Sequence, residues 1–293
     1  MRPCADFTDG PPERPLLQRP LNHHKLYTMA GGPLYQLFSH RRLLLHMTLR
    51  DLRAKYAGSL MGLFWTVINP LLLLAVFTFI FAVVFEARFG ERAGVGISSL
   101  YILCGILPWL ALADGLGRSG TVILENKNLL TRALFPASVL PAFPALSALI
   151  GQLAGFLILF FLAGFLVTPP GPSLMLFPVL VVLQMAFTAG LCLFFSAIAV
   201  YLRDVVHVLP VLLLVWLYAT PVFYPASMVP AGYRFVIYLN PMAHFLSCYR
   251  RTILEGAWPD VSAFALVLVF TAASLLVGTL VFGRLSAGMA DRL

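Results

Sequence analysis

Phe156-Leu157-Ile158-Leu159-Phe160-Phe161-Leu162-Ala163-Gly164-Phe165-Leu166-Val167-Thr168-Pro169-Pro170-Gly171-Pro172-Ser173-Leu174-Met175-Leu176-Phe177 is the stretch that decides the fold. It lies inside residues 133–202, which contain no Asp, Glu, Lys or Arg. A helix needs about 20 apolar residues to cross the hydrocarbon of a bilayer. The run is far too long for one crossing, and Thr168-Pro169-Pro170-Gly171-Pro172 is a strong turn signal at its middle. It reads as a helical hairpin with a very short turn, its helices at about 138–167 and 174–200.

Working outward, other charge-free runs mark further crossings at about 60–85, 97–117, 205–222 and 261–283. Residues 223–259 are apolar yet carry Pro225, Pro230, Gly232, Pro241, Gly256 and Pro259. Irregular backbone at membrane depth is tolerated only when buried in protein or lining a cavity. A pair of short re-entrant helices on the outer side fits this segment. Composition agrees: 60% of the chain is hydrophobic and 11% charged, against about 25% charged in a soluble domain. The net charge of +8 does not indicate nucleic acid, because the charges are few and flank apolar runs.

Of the 20 Lys and Arg, only Arg88, Arg92, Arg234, Arg250 and Arg251 fall outside if the N-terminus is inside. The positive-inside rule therefore places both termini in the cytoplasm. Residues 1–33, rich in Pro and Gly, read as a poorly ordered cytoplasmic extension without a secretory signal. Residues 34–283 form the membrane domain and 284–293 a cytoplasmic tail. Within 34–56, Leu37, Phe38, Leu45, Leu49, Leu52 and Tyr56 recur at helical spacing among Arg41, Arg42, Arg50, Arg53 and Lys55. This is a basic amphipathic helix for the cytoplasmic interface, as an anchor or with a further role.

Absences narrow the function. None of Lys25, Lys55 and Lys127 follows a glycine, so no GxxxxGK[ST] phosphate loop exists. HExxH and GxSxG are missing too. Cys4, Cys104, Cys192 and Cys248 form no CxxC, and no catalytic or metal site is expected. The spans hold almost no ionisable residue apart from Asp114, so an ion-coupled flippase lacks relays. A membrane glycosyltransferase would want interfacial carboxylates, and only Glu125 and Asp204 qualify. A conduit powered from elsewhere remains.

Arg50-Asp51-Leu52-Arg53-Ala54-Lys55-Tyr56-Ala57-Gly58-Ser59-Leu60-Met61-Gly62-Leu63-Phe64-Trp65, then Asn69-Pro70, resembles the opening motif of the polysaccharide-export permeases among ABC type-2 exporters. Gly105-Ile106-Leu107-Pro108-Trp109 resembles that family's Gly-x-x-Pro-Trp stretch. Glu125-Asn126-Lys127-Asn128-Leu129-Leu130, Phe135-Pro136, Leu140-Pro141 and Arg203-Asp204 resemble its cytoplasmic loops. Thr220-Pro221-Val222-Phe223-Tyr224, Leu239-Asn240-Pro241 and Tyr249-Arg250-Arg251 resemble its outer region. Each motif is weak alone; their shared order from about 37 to 283 is specific. Met61 stands where the family has Leu.

The resemblance implies an all-α integral membrane fold with six transmembrane helices, an N-terminal interfacial amphipathic helix, a cytoplasmic coupling helix and outer re-entrant helices. It further implies a homodimeric permease paired with two copies of an ABC ATPase subunit. That pair would move a polyprenyl-linked glycan (O-antigen, capsule or teichoic acid) across the inner membrane. ATP and Mg would sit on the partner, with no cofactor on this chain. A drug or small-lipid exporter would share the architecture.

The resemblance also distributes roles. Glu125, Asn126, Lys127, Asn128, Leu129 and Leu130 would dock into the ATPase; the alternative is a solvated loop. Arg203 and Asp204 would be a second contact, an inner gate or a topological anchor. Arg50, Arg53, Lys55, Tyr56, Ser59 and Gly62 would form the interfacial access region, Gly62 through close backbone approach. Trp65, Tyr224, Tyr233, Tyr238, Tyr249 and Arg250 would line the channel or its outer gate, or form an interfacial aromatic belt. Phe64, Phe77, Phe79, Phe81, Phe85, Phe156, Phe160, Phe161, Phe165 and Phe187 would stack on sugar rings or face lipid.

Overall fold

The computed structural model of the chain describes residues 32–55, 57–59, 62–80, 95–132, 135–166, 171–289 and 292. Among them every regular element is helical: α1 (Pro33–Ser39), α2 (Arg41–Lys55), α3 (Trp65–Phe77), α4 (Val95–Glu125), α5 (Lys127–Arg132) and α6 (Val139–Leu166). Then come α7 (Phe177–Tyr201), α8 (Val205–Ala219), α9 (Arg234–Tyr238), α10 (Pro241–Ile253) and α11 (Val261–Ser286). Tyr56 and the expected extension to residue 31 lie outside the described residues, as do Phe81 and Phe85.

Helices α4, α6, α7 and α11 are long and apolar enough to cross a bilayer. The hairpin is present: α6 and α7 are antiparallel neighbours, and Pro172 opens a 3₁₀ turn over Pro172–Leu176. Helix α8 has 15 residues, about 23 Å at 1.5 Å per residue, against about 30 Å of hydrocarbon. Helix α3 passes into a π turn at 78–80, and the rest of the expected 60–85 crossing at both ends lies partly outside the described residues. Proline chemistry at Pro221 and Pro225 ends α8 early.

Helix α4 is the centre of the bundle and packs against α3, α6, α7, α8 and α10. It runs past the expected end near 117 without a break to Glu125, so Arg118 and Glu125 stand on one rigid rod rather than in a loop. Helices α7 and α11 meet at small residues: a Cβ on Gly190 would fall 2.5 Å from Ser274 Oγ, and one on Gly278 would strike the Gly190 backbone. Ser274 Oγ donates to Phe187 O at 2.8 Å. Helices lacking a hydrophobic drive between them associate through such contacts. Elsewhere, a Cβ on Gly155 would strike Leu107, while Gly151 and Gly164 have nothing within 4 Å of a would-be Cβ.

The outward faces carry exposed Leu157, Phe161 and Phe165 on α6 and exposed Leu268, Leu276 and Leu280 on α11. Unpaired apolar surface of this extent suits lipid, not water.

Candidate functional site

At the α5 end of the bundle, the expected basic helix is two helices, α1 and α2, turned at His40. Helix α2 has three faces. Leu44, Met47, Thr48 and Asp51 point to the bundle. Leu45 and Leu49 are half-exposed and apolar, and Arg42, Arg50 and Arg53 are exposed. Asp51 and Lys55 are one turn apart, as are Asp114 and Arg118 on α4. Helix α2 packs on α6, and its side chains reach across to α4 with the acid-then-base spacing paired crosswise. The Arg118 guanidinium clamps Asp51 with two nitrogens, and Lys55 Nζ reaches Asp114 Oδ2 at 2.5 Å. Burial pushes the Asp51 carboxyl up, and the Arg118 guanidinium outweighs it, holding the group below the usual carboxylate range.

Helix α5 is moored rather than free. Leu130 is buried with Val122, Ile123, Leu140, Phe143 and Phe282, and Leu129 packs beside them. Glu125, Lys127 and Asn128 are exposed, and Asn126 Nδ2 caps Val122 O at 2.8 Å. Arg203 and Asp204 are exposed on the α7–α8 turn. The start of α8 lies against Gly120 of α4, with Val206 Cα 3.7 Å from where a Cβ would be. Both short connections therefore present charge at one end. His207 beside them is exposed too.

Between α3, α4 and α6 lies a cavity of about 210 Å³ bordered by Lys55, Trp65, Asn69, Asp114 and Gln152. Ser59 Oγ accepts from Trp65 Nε1 at 3.0 Å. Gly62 has φ +48° and nothing within 4 Å of a would-be Cβ. The backbone there is a left-handed turn, a conformation that favours glycine.

The Gln152 and Gln184 amides pair reciprocally at 3.0 and 3.1 Å. Gln184 also donates to Pro108 O, 3.0 Å, and accepts from Tyr249 Oη, 2.8 Å. This buried chain ties α4, α6, α7 and α10 together.

At the opposite, α10 end, the outer motifs converge on Arg250. It donates to Pro221 O (2.7 Å), Val222 O (2.8 Å), Tyr101 Oη (2.9 Å) and Tyr101 O (3.3 Å), and its guanidinium lies 3.6 Å from the Tyr101 ring centre. Gly105 makes the room: a Cβ there would fall 2.6 Å from Arg250 Nη2. Asn240 Oδ1 caps α10 at Met242 N (3.1 Å) and accepts from Trp216 Nε1 (2.9 Å), while Trp216 meets Trp109 edge to face. Pro241 at the first helical position completes the cap.

Residues 42–254 match the family model described as ABC-2 type transporter. The chain belongs to the ABC-2 type transporter family. It is 31% identical over 248 residues, 82% of this chain and 93% of the other, to the O-antigen export system permease protein RfbA of Myxococcus xanthus. A protein of the same name from Klebsiella pneumoniae is 27% identical over 85% of this chain and 94% of its own. The polysialic acid transport protein KpsM of Escherichia coli is 23% identical over 78% and 88%. This ABC-2 chain is thus a membrane transport subunit.

Within this ABC-2 chain the expected site residues divide. Glu125, Asn126, Lys127, Asn128, Leu129 and Leu130 share one end with Arg203, Asp204, Arg50, Arg53 and Lys55. Ser59 and Trp65 are bonded to each other. Of the gate set, Tyr249 and Arg250 are buried inside the bundle, Tyr233 and Tyr238 are exposed, and Tyr224 Oη donates to Tyr218 O at 2.9 Å. Phe156 and Phe187 are core residues, while Phe64, Phe79, Phe161 and Phe165 are exposed. Sequence reasoning missed the partners Asp51 and Arg118, the Gln152–Gln184 pair and the caps of Asn240. The repeated four-residue spacing of Asp51/Lys55 and Asp114/Arg118 was the available signal for the first.

Proposed function

We propose that this chain is the transmembrane subunit of an ATP-driven exporter that moves a polyprenyl-linked polysaccharide across the bacterial inner membrane. The near end-to-end similarity to O-antigen export permeases carries the reading. Polysialic acid transport proteins among the relatives also favour a polysaccharide over a drug or small lipid. The working unit is a permease homodimer with two ATPase subunits that bind ATP and Mg. Each chain crosses six times, through α4, α6, α7, α11 and the segments containing α3 and α8. Both termini are cytoplasmic, which the distribution of Lys and Arg supports.

In this arrangement the ATPase groove takes the exposed edge Glu125–Lys127–Asn128, with Arg203 and Asp204 beside it. Leu130 anchors that edge, so a push on α5 moves the continuous rod of α4. The two ion pairs pass the displacement to α2 in the membrane interface, and the Gln152–Gln184–Tyr249 chain passes it to α10. The glycan then slides past weak, repeated contacts, since tight binding would prevent exit.

The test is ATP hydrolysis by the purified chain alone and co-expressed with an ABC ATPase subunit, with and without polyprenyl-linked glycan. The expected result is no hydrolysis alone and a stable complex stimulated by the glycan. Sugar transfer from a nucleotide donor, or proton-driven transport by the lone chain, would overturn the reading.

A further inference from the structure

Helix α10 is built with two faces. Met242, Phe245, Leu246, Tyr249 and Ile253 are buried in the bundle core. Ala243, His244, Ser247, Arg250 and Arg251 follow the spacing of the opposite face and line a cavity of about 330 Å³. A helix so deeply placed keeps a polar face only where polar groups meet it. Arg250 is fully engaged by its four acceptor contacts, but its neighbours are not. Arg251 Nε is buried without a hydrogen-bond partner, 3.6 Å from Glu255 Oε2. Glu255 stands on the cavity wall and is half-exposed. At the rim, Tyr238 is 64% exposed, and His244 Nε2 donates to its carbonyl at 2.9 Å, fixing α9 to α10.

We propose that this cavity is a saccharide subsite on the exit side of the permease, taking a short stretch of neutral hexopyranose units from the passing glycan. The assignment rests on the polysaccharide-transport reading. A carboxylate and a guanidinium side by side offer an acceptor and donors to the vicinal hydroxyls of a sugar ring. Tyr238 offers an aromatic face to the apolar side of the ring. Neutral sugar is specified by charge: Arg251 is paired with Glu255 and Asp260, and Arg250 spends its donors on Tyr101, Pro221 and Val222, leaving no free cation for an acidic residue. The subsite lies against the outer side of the fixed Arg250 clamp, whose residues Tyr101, Pro221 and Arg250 form part of its wall, so it engages the polymer without requiring the clamp to open.

The experiment places a thiol in the cavity by Ser247→Cys in cells that keep the ATPase subunit and the native glycan. Labelling by a membrane-impermeant maleimide is compared with cells blocked in glycan synthesis; the native Cys104, Cys192 and Cys248 are buried. Labelling falls about twofold when glycan is being exported, corresponding to about half occupancy of a weak site. Adding Glu255→Gln or Tyr238→Ala abolishes that protection. On the purified Ser247→Cys complex, maltohexaose protects the thiol and oligosialic acid does not. Equal labelling with and without glycan, or no labelling in either state, overturns the subsite while glycan at the cell surface leaves the transport reading intact. Protection by oligosialic acid alone overturns the neutral-sugar assignment. Absence of surface glycan from cells carrying the unmodified chain instead sinks the transport reading.

Discussion

The two ends of the bundle are each fastened by a guanidinium on oxygen acceptors, at opposite degrees of burial. At the α10 end, Arg250 is 6% exposed and meets backbone carbonyls and a phenol, none of which can move independently of the fold. At the α5 end, Arg118 and Asp51 are 32% and 13% exposed, and Lys55 and Asp114 are 29% and 38% exposed. Water competes for these charges, so their bonds are weaker and exchange more readily. The exchangeable pairs join α2 to α4; the buried clamp joins α10, α4 and the Pro221–Val222 segment.

The largest expected effect comes from Arg250→Ala. It leaves the carbonyls of Pro221 and Val222 buried without donors and should cost roughly 3–5 kcal/mol, seen as a large fall in thermal stability in detergent. Arg250→Lys should recover only part of it, because an ammonium cannot reach all four acceptors in the plane of a guanidinium. A small change would mean the outer end is not clamped by this residue.

Next come the ion pairs, which should separate by burial. Asp51→Asn should destabilise by about 1–3 kcal/mol and Asp114→Asn by about 0–1 kcal/mol, measured by protease nicking of α2 and by melting. Equal losses would erase the distinction between the two pairs. Asp51 titrates below its ordinary value of 3.8. Its stabilisation is therefore fully present above pH 3.8 and lost as pH falls through the lower folded value. The protection of α2 amides from hydrogen exchange, relative to the unstructured rate at each pH, should not change between neutral and mildly acidic pH, should fall below that point, and should lose this dependence in Asp51→Asn.

A smaller effect is expected at Gly62, whose left-handed φ costs about 1 kcal/mol for any residue with a Cβ. Gly62→Ala and Gly62→Leu should be equally impaired in export, since no neighbour is near; a penalty growing with size would restore the close-approach explanation. The smallest stability effect belongs to Glu125→Ala, within about 0.5 kcal/mol, while glycan-stimulated ATP hydrolysis of the complex falls. Unchanged stimulation would remove Glu125 from the coupling edge.

Much of this was legible in the chain alone. The charge-free runs marked α4, α6, α7 and α11, because a bilayer imposes length and composition on any helix that crosses it. Leu239-Asn240-Pro241 was visible as a motif, and its meaning, a capped helix start, follows from local backbone rules. The extension of α4 to Glu125 was not legible: Arg118 looks like the end of a membrane segment, and only its contact with Asp51 explains why the helix continues past it. The turn at His40 and the burial of Leu130 likewise depend on what packs against α2 and α5.

The charge-free runs already define a bundle of apolar helices with charge gathered outside their central stretches, since hydrocarbon admits few alternatives. The sequence also carried, in ordered motifs, the likeness to polysaccharide-export permeases. It took the packed fold to bring Gly105, Pro221, Val222 and Arg250 into one clamp, to match Asp114 with Lys55, and to set Gln152 against Gln184. Those pairings join residues far apart in the chain, and a composition or a period fixes which face a side chain occupies but not which partner stands opposite.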